Sequence, residues 1–281
     1  MKAPLAQLPT QPLVTEREWT EDGIPVLTAT CSLPQPAMVQ SAAARRIRRY
    51  YQLQRRCFFK YCEAWLLPQA RAEYHAALDA SRPLPCFRAE LGYCVTWNQG
   101  GLWSLYTHTR EAGPAGAPLL TRRGDTWDLS AGYPIPLQDF FPGVRGWKRT
   151  LLSFAAGEIT RQEAAGVARY HEHWRQALRR HFTGQNYDLT EDGLAFFYPM
   201  SAIAPSEEGI PVFTLPYGTP GLRQPTQEPP PEGKARHFCA GPCESSFTFW
   251  GLCSGRGAAR GCGPSARCSA APSRWGCAQS A

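Results

Sequence analysis

With 281 residues, 43% of them hydrophobic and 19% charged, the chain has apolar material for a packed core, which excludes an intrinsically unfolded polymer. The net charge of +7 is uneven: seven Lys/Arg against three acids beyond Leu222 put +4 in the tail and leave +3 for the body. So small a body charge does not argue for nucleic acid, and no run nears the roughly 20 apolar residues of a membrane span.

Residues 1–13 read as a flexible arm. They hold one Lys and no apolar run of signal-peptide length, so the chain as written reads as a soluble cytoplasmic protein. Residues 23–30, Gly-Ile-Pro-Val-Leu-Thr-Ala-Thr, have the β-branched content and leading turn of an opening strand. From about 39 to 67 the apolar period becomes helical. Ile47, Tyr50, Gln54, Cys57, Phe58, Tyr61 and Trp65 recur at spacings of three and four, an amphipathic stripe with one polar member. Arg45, Arg46, Arg48, Arg49, Arg55, Arg56 and Lys60 fill most of the remainder, as a docking face or as a solvated face whose stems cover aromatics. Pro68 is expected to kink or divide this helix, which continues over 69–80.

Beyond Pro83 and Pro85 the period drops to two. Phe87, Ala89, Leu91, Tyr93, Val95 and Trp97 alternate with smaller or polar residues, as in a half-buried strand. Asn98-Gln99-Gly100-Gly101 reads as a hairpin turn and residues 102–110 as the returning strand. Leu119 to Arg123, a Gly124-Asp125 turn and Thr126 to Leu129 read as a further hairpin, giving an antiparallel meander. Residues 136–141 read as a short helical turn. Residues 147–182 read as two helices, the second with Val167, Tyr170, Trp174, Ala177 and Leu178 on its apolar face. A short strand over 186–189, a turn at Asp192-Gly193 and strands over 194–198 and 211–217 complete the body. The expected architecture is α+β: an antiparallel meander sheet packed with a long amphipathic helix and a later helical pair.

Residues 219–281 differ in texture. They are rich in Pro, Gly and Cys, without periodicity, and cannot offset an ordering cost of roughly 1–2 kcal/mol per residue. The tail reads as disordered or as the out-of-frame product of a GC-rich gene. Its six cysteines lack the Cys-x2-Cys knuckles of a zinc module. The five body cysteines, Cys31, Cys57, Cys62, Cys86 and Cys94, read as small hydrophobes.

Several phrases carry a family resemblance. They are Trp19-Thr20-Glu21-Asp22-Gly23-Ile24-Pro25, Trp127-Asp128-Leu129 with Gly132, Leu137-Gln138-Asp139-Phe140-Phe141, Asn186-Tyr187-Asp188-Leu189-Thr190-Glu191-Asp192-Gly193-Leu194, and Ile203-Ala204-Pro205 followed by Gly209-Ile210-Pro211-Val212-Phe213-Thr214-Leu215-Pro216-Tyr217. In this order they resemble the domain-of-unknown-function family found at the C-terminus of the anti-sigma factor RsiV and beside peptidoglycan deacetylases of the PdaC type. The resemblance covers about residues 14–218. It implies a bacterial α+β domain of two small lobes, about 14–110 and 111–218, with no accepted catalytic residues. In RsiV-like members it implies a sensing surface for a muramidase-type protein.

Chemistry-bearing strings are few. His171-Glu172-His173 on a helix would point its two imidazoles about 200° apart, unsuited to one ion. Arg123-Gly124-Asp125 reads as a turn rather than an adhesion motif. The sequence points to no cofactor, no metal and no catalytic residue, and so to a non-enzymatic domain. Its ligand would be a protein or a cell-wall-derived molecule, held on the open face of the meander by Trp97, Trp103, Tyr106 and His108, since aromatics with a polar tip suit both ligands. Two rivals are a hydrolase using Asp125, Asp128 or Asp139 with His108, and a regulatory module docking through the Arg-rich helix.

Overall fold

The computed structural model describes residues 7–37, 41–114 and 116–225. A six-stranded sheet runs in chain order: β1 (Thr10–Glu21), β2 (Ile24–Pro36), β3 (Phe87–Gln99), β4 (Leu102–Ala112), β5 (Leu119–Asp128) and β6 (Tyr133–Pro134). A three-stranded sheet holds β7 (Tyr187–Leu189), β8 (Gly193–Phe197) and β9 (Val212–Pro216). The helices are α1 (Ala42–Tyr61), α2 (Leu67–Asp79), α3 (Trp147–Ala164) and α4 (Trp174–His181). The architecture is α+β, as expected, with two hydrophobic cores, one beneath α1 and α2 and one between α3, α4 and the small sheet.

Three differences from the expected meander have local causes. The arm expected over 1–13 contributes residues from Thr10 onward to β1, and Leu8 is fully buried. β1 escapes an apolar-period reading because it is an edge strand, with Glu16, Arg17 and Glu18 all exposed. The turn that joins it to β2 is Asp22-Gly23, both with positive φ. Second, β2 and β3 pair parallel over Leu27–Cys31 and Phe87–Leu91, because α1 and α2 return the chain to the same end of the sheet. Third, β5 is unbroken through Gly124-Asp125. Gly124 serves close approach, not a turn: a Cβ there would stand 1.7 Å from the Tyr187 carbonyl oxygen of β7.

The long helix divides as Pro68 requires, by a π turn over Cys62–Leu66 in which the Leu67 N–H reaches the Cys62 carbonyl. Proline offers no N–H to the carbonyl four residues back and crowds it, so the widened turn directly before it relieves both. The extra residue rotates the stripe. Cys62 and Leu66 become buried, whereas Trp65, expected on the apolar face, is 53% exposed.

In the second lobe α3 ends before Gly166, which takes φ +65°. Val167 and Tyr170 therefore fall in the connection to α4 rather than on its apolar face, and Val167 is exposed. The β7–β8 hairpin and proline-bounded β9 stand where expected. Gly193, however, lacks positive φ. A Cβ there would stand 2.1 Å from the Leu215 carbonyl oxygen, so the residue is small for packing. The chain stays packed slightly past the boundary expected at 218: Leu222 is buried and the Arg223 N–H donates to the Phe140 carbonyl at 2.8 Å. The remainder of the tail, with its six cysteines and the zinc, disorder and frameshift readings, lies outside the described residues. No described helix is long and apolar enough to cross a membrane.

Candidate functional site

Strand alternation sorts the expected site residues to opposite sides of the large sheet. Trp103, Leu105 and Thr107 of β4 turn toward α1. Trp103 is fully buried with its ring edge-on to Tyr51 at 5.9 Å, and Gln54 Nε2 donates to Thr107 Oγ1 at 3.1 Å. Tyr106 and His108 turn to the other face, their ring centroids 5.9 Å apart. Trp97 follows a register shift between Val95 and Trp97 and belongs to the second core, edge-on to Tyr217 at 6.2 Å. Of the four candidates, Tyr106 and His108 share an accessible face. Trp97 and Trp103 are core residues, because the bulge redirects the first and the pleat points the second at the helix.

That face is built from β3, β4 and β5. Gly92 lies opposite His108 and Cys94 opposite Tyr106, with Glu90 opposite Arg110. A Cβ at Gly92 would come 2.7 Å from the His108 ring, so the missing side chain lets the imidazole lie across β3. His108, Arg110, Glu90 and Cys94 are exposed. Behind them the Arg122 guanidinium sits 3.7 Å above the Tyr106 ring and 4.7 Å from that of Phe197. Its Nη2 donates to Asp188 Oδ1 at 2.7 Å, with the Arg122 side chain 15% exposed and Asp188 fully buried. This ion pair ties β5 of the large sheet to β7 of the small one. Beside it the Leu189 N–H donates to Ser104 Oγ at 2.9 Å, and Ser104 and Thr126 share a hydroxyl contact of 2.7 Å.

The electrostatics follow from that placement. Partial desolvation of the ring where it lies across β3, then the Arg122 charge, hold the His108 imidazole below its ordinary value against the opposing pull of Glu90. Neutral imidazole, able both to donate and to accept, is the form the face favours near pH 7. Burial raises the Asp188 carboxyl above its ordinary value, and Arg122 only offsets part of that. Burial also raises the Tyr106 phenol, with Cys94 adding to it. The result is an aromatic ring backed by a cation, next to a neutral imidazole and an exposed thiol.

The acids of the hydrolase reading do not meet His108. Asp125 is buried on the α1 side of the sheet, where it accepts from Tyr50 at 3.1 Å, Tyr51 at 3.3 Å and Arg123 Nε at 3.4 Å. Burial raises its carboxyl despite Arg123. Asp128 Oδ1 caps its own turn through the Ser130 N–H at 2.7 Å and the Ala131 N–H at 3.2 Å. Asp139 is exposed on the 3-10 turn Leu137–Phe140. Consecutive odd and even positions on β4 and β5 face opposite ways, so the sheet itself separates Asp125 from His108. His171 and His173 precede α4 rather than lying within a helix, and the His171 ring meets the Ser201 carbonyl at 3.2 Å. Among the described residues no three His, Cys, Asp or Glu gather as a metal site.

The Arg-rich helix face is partly spent on the fold. Arg46 Nη1 donates to the Ala131 carbonyl at 2.6 Å, Arg48 to the Pro36 carbonyl at 2.9 Å and Arg55 to Thr15 at 3.3 Å. Arg122 and Asp188 were not singled out in the sequence. Asp188 carried a readable signal, an acid between Tyr187 and Leu189 in a short apolar strand. Arg122 carried none while β5 was read as a broken hairpin.

Comparison with known proteins bears on the later helices and the small sheet. Residues 139–218 match the family model described as a protein of unknown function, DUF3298. The matched DUF3298 segment holds α3, α4 and the whole small sheet, including the Ile203-Ala204-Pro205 and Gly209-Ile210-Pro211 phrases. A crystal structure of a DUF3298 family member from Bacteroides fragilis NCTC 9343 is similar, at 16% identity over 76% of this chain and 92% of that one, with a TM-score of 0.56. A DUF3298 family protein from Pseudomonas aeruginosa PAO1 is also 16% identical, over 79% of this chain and 97% of that one, with a TM-score of 0.51. At such identities the likeness is one of fold. No curated protein matches the chain.

Proposed function

We propose that this chain is a non-enzymatic binding domain whose ligand surface is the open face of the large sheet around Tyr106 and His108. The ligand is a protein or a cell-wall-derived molecule, in keeping with the RsiV-like sensing role that the resemblance implies. The observation that carries the reading is the part of the β3–β4 face that the small sheet leaves open: an exposed His108 and a half-buried Tyr106, with Arg122 and Asp188 fixed beside them. Preorganisation of this kind lowers the ordering cost of binding. The scatter of Asp125, Asp128 and Asp139 supports the non-enzymatic half of the reading.

The test is biolayer interferometry of the full chain against a muramidase and against soluble muropeptides. One of the two binds, and His108→Glu and Tyr106→Ala each weaken it about tenfold, the effect of roughly 1.4 kcal/mol. Arg56→Glu, on the outer side of α1, leaves it unchanged. Silence toward both probes, or equal loss in Arg56→Glu, refutes the surface.

A further inference from the structure

We infer that the outer edge of β9, with α3 beside it, is a docking site for a short extended peptide that carries Lys or Arg. β9 is the edge strand of the small sheet. Its hydrogen-bond parity follows from the register. Tyr198 N–H donates to the Pro211 carbonyl at 3.0 Å, and Phe196 stands opposite Phe213 and Leu194 opposite Leu215. In an antiparallel pair bonded and non-bonded positions alternate. Phe213 and Leu215 therefore bond to β8, and the N–H and C=O groups of Val212 and Thr214 point outward, where they meet no partner among the described residues. The next outward position, Pro216, has no N–H, and its carbonyl already accepts from the Thr219 hydroxyl at 2.8 Å. The open window is thus one that a single short strand fills and a long aggregate does not.

A cleft of about 480 Å³ runs along this edge, with Phe154, Glu158 and Gln162 of α3 on one side, Val212 and Thr214 on the other, and Asp192 at one end. An edge strand beside a helix is the geometry in which an added strand gains main-chain bonds from the edge and selectivity from the helix wall. The charged side chains lining the cleft are Glu158 and Asp192, with no cation among the lining residues. Arg161 holds Glu158 at 2.6 Å from the rim. With Glu158 already paired to Arg161, Asp192 is the carboxylate of the cleft that selects a basic side chain over an acidic one.

This site is independent of the Tyr106–His108 face and is tested separately. The probe is a fluorescein-labelled pentapeptide of alternating valine and lysine, Val-Lys-Val-Lys-Val, titrated into the full chain by fluorescence polarisation. It binds at least tenfold more tightly than its glutamate counterpart, and Asp192→Lys narrows or reverses that preference. N-methylation of its alternate amides on the β9-facing side abolishes binding, as does Thr214→Pro, which removes an outward N–H without touching the β8 ladder. His108→Ala has no effect. No binding by the lysine peptide, or equal binding by the N-methylated one, overturns the proposal. The peptide modification decides the matter even if the proline variant proves unstable.

Discussion

The two lobes solve the same problem differently. The large sheet has strands of up to 13 residues, buries one face under α1 and α2, and leaves much of the other open. The small sheet has strands of three to five residues, and its central β8 is buried at every position. A long sheet with one open face can present side chains to a ligand. A short sheet whose central strand is buried on both faces has little but its edge strand to offer. The junction makes this division sharper, because Arg122 and Asp188, the charged pair that braces the open face, come one from each sheet, Arg122 from a strand of the large sheet that lies beyond the lobe boundary expected at 110.

The largest expected effect tests whether the cores are separate. Phe58→Ala in the first core and Phe196→Ala in the second each cost about 3–5 kcal/mol by urea denaturation. If the cores are independent, the double variant loses the sum to within about 0.5 kcal/mol. A clear shortfall would merge the lobes into one cooperative core. Asp188→Ala is next, at about 3–5 kcal/mol, because it strands the Arg122 cation in a largely buried setting. A loss no greater than that of an exposed pair would show the junction to be wetter than described.

Gly124→Ala follows, at about 1–3 kcal/mol, since the new methyl must push the β7 backbone away. A neutral result in thermal denaturation would mean that the lobes part easily. The smallest effect is a pH dependence. The Asp125 carboxyl is raised above its ordinary 3.8 by burial, so its ionisation costs the folded state. That cost is present at neutral pH and disappears as the pH falls through the raised value toward 3.8. Wild type therefore gains stability relative to Asp125→Asn between pH 7 and pH 4, which paired urea titrations at the two pH values would read. The opposite trend would place Asp125 in a polar setting.

Much of this was legible in the sequence, and the failures are physical. The α1 stripe, the Gly100-Gly101 turn and the proline-bounded last strand rest on local signals and stand where they were expected. β1 was missed because an exposed edge strand has no apolar alternation. Gly124-Asp125 reads as a turn but lies inside β5, and Gly193 stands in the expected β7–β8 turn without the expected positive φ; both glycines serve close approach to another backbone, a tertiary fact invisible to turn chemistry. The same limit governs the candidate site. Periodicity placed Tyr106 and His108 on one face correctly, but it could not see the bulge before Trp97, nor that Arg122 would reach across to Asp188.

Cys94 gives the most direct test of the open face as the ligand surface. It is exposed opposite Tyr106, whereas Cys86 lies before β3 starts. Alkylation of each thiol by iodoacetamide can be followed by peptide mass spectrometry, with and without saturating muramidase or muropeptides. The account predicts that one of these ligands slows labelling at Cys94 severalfold and leaves Cys86 unchanged. Unchanged labelling at Cys94 in the presence of a bound ligand would contradict it.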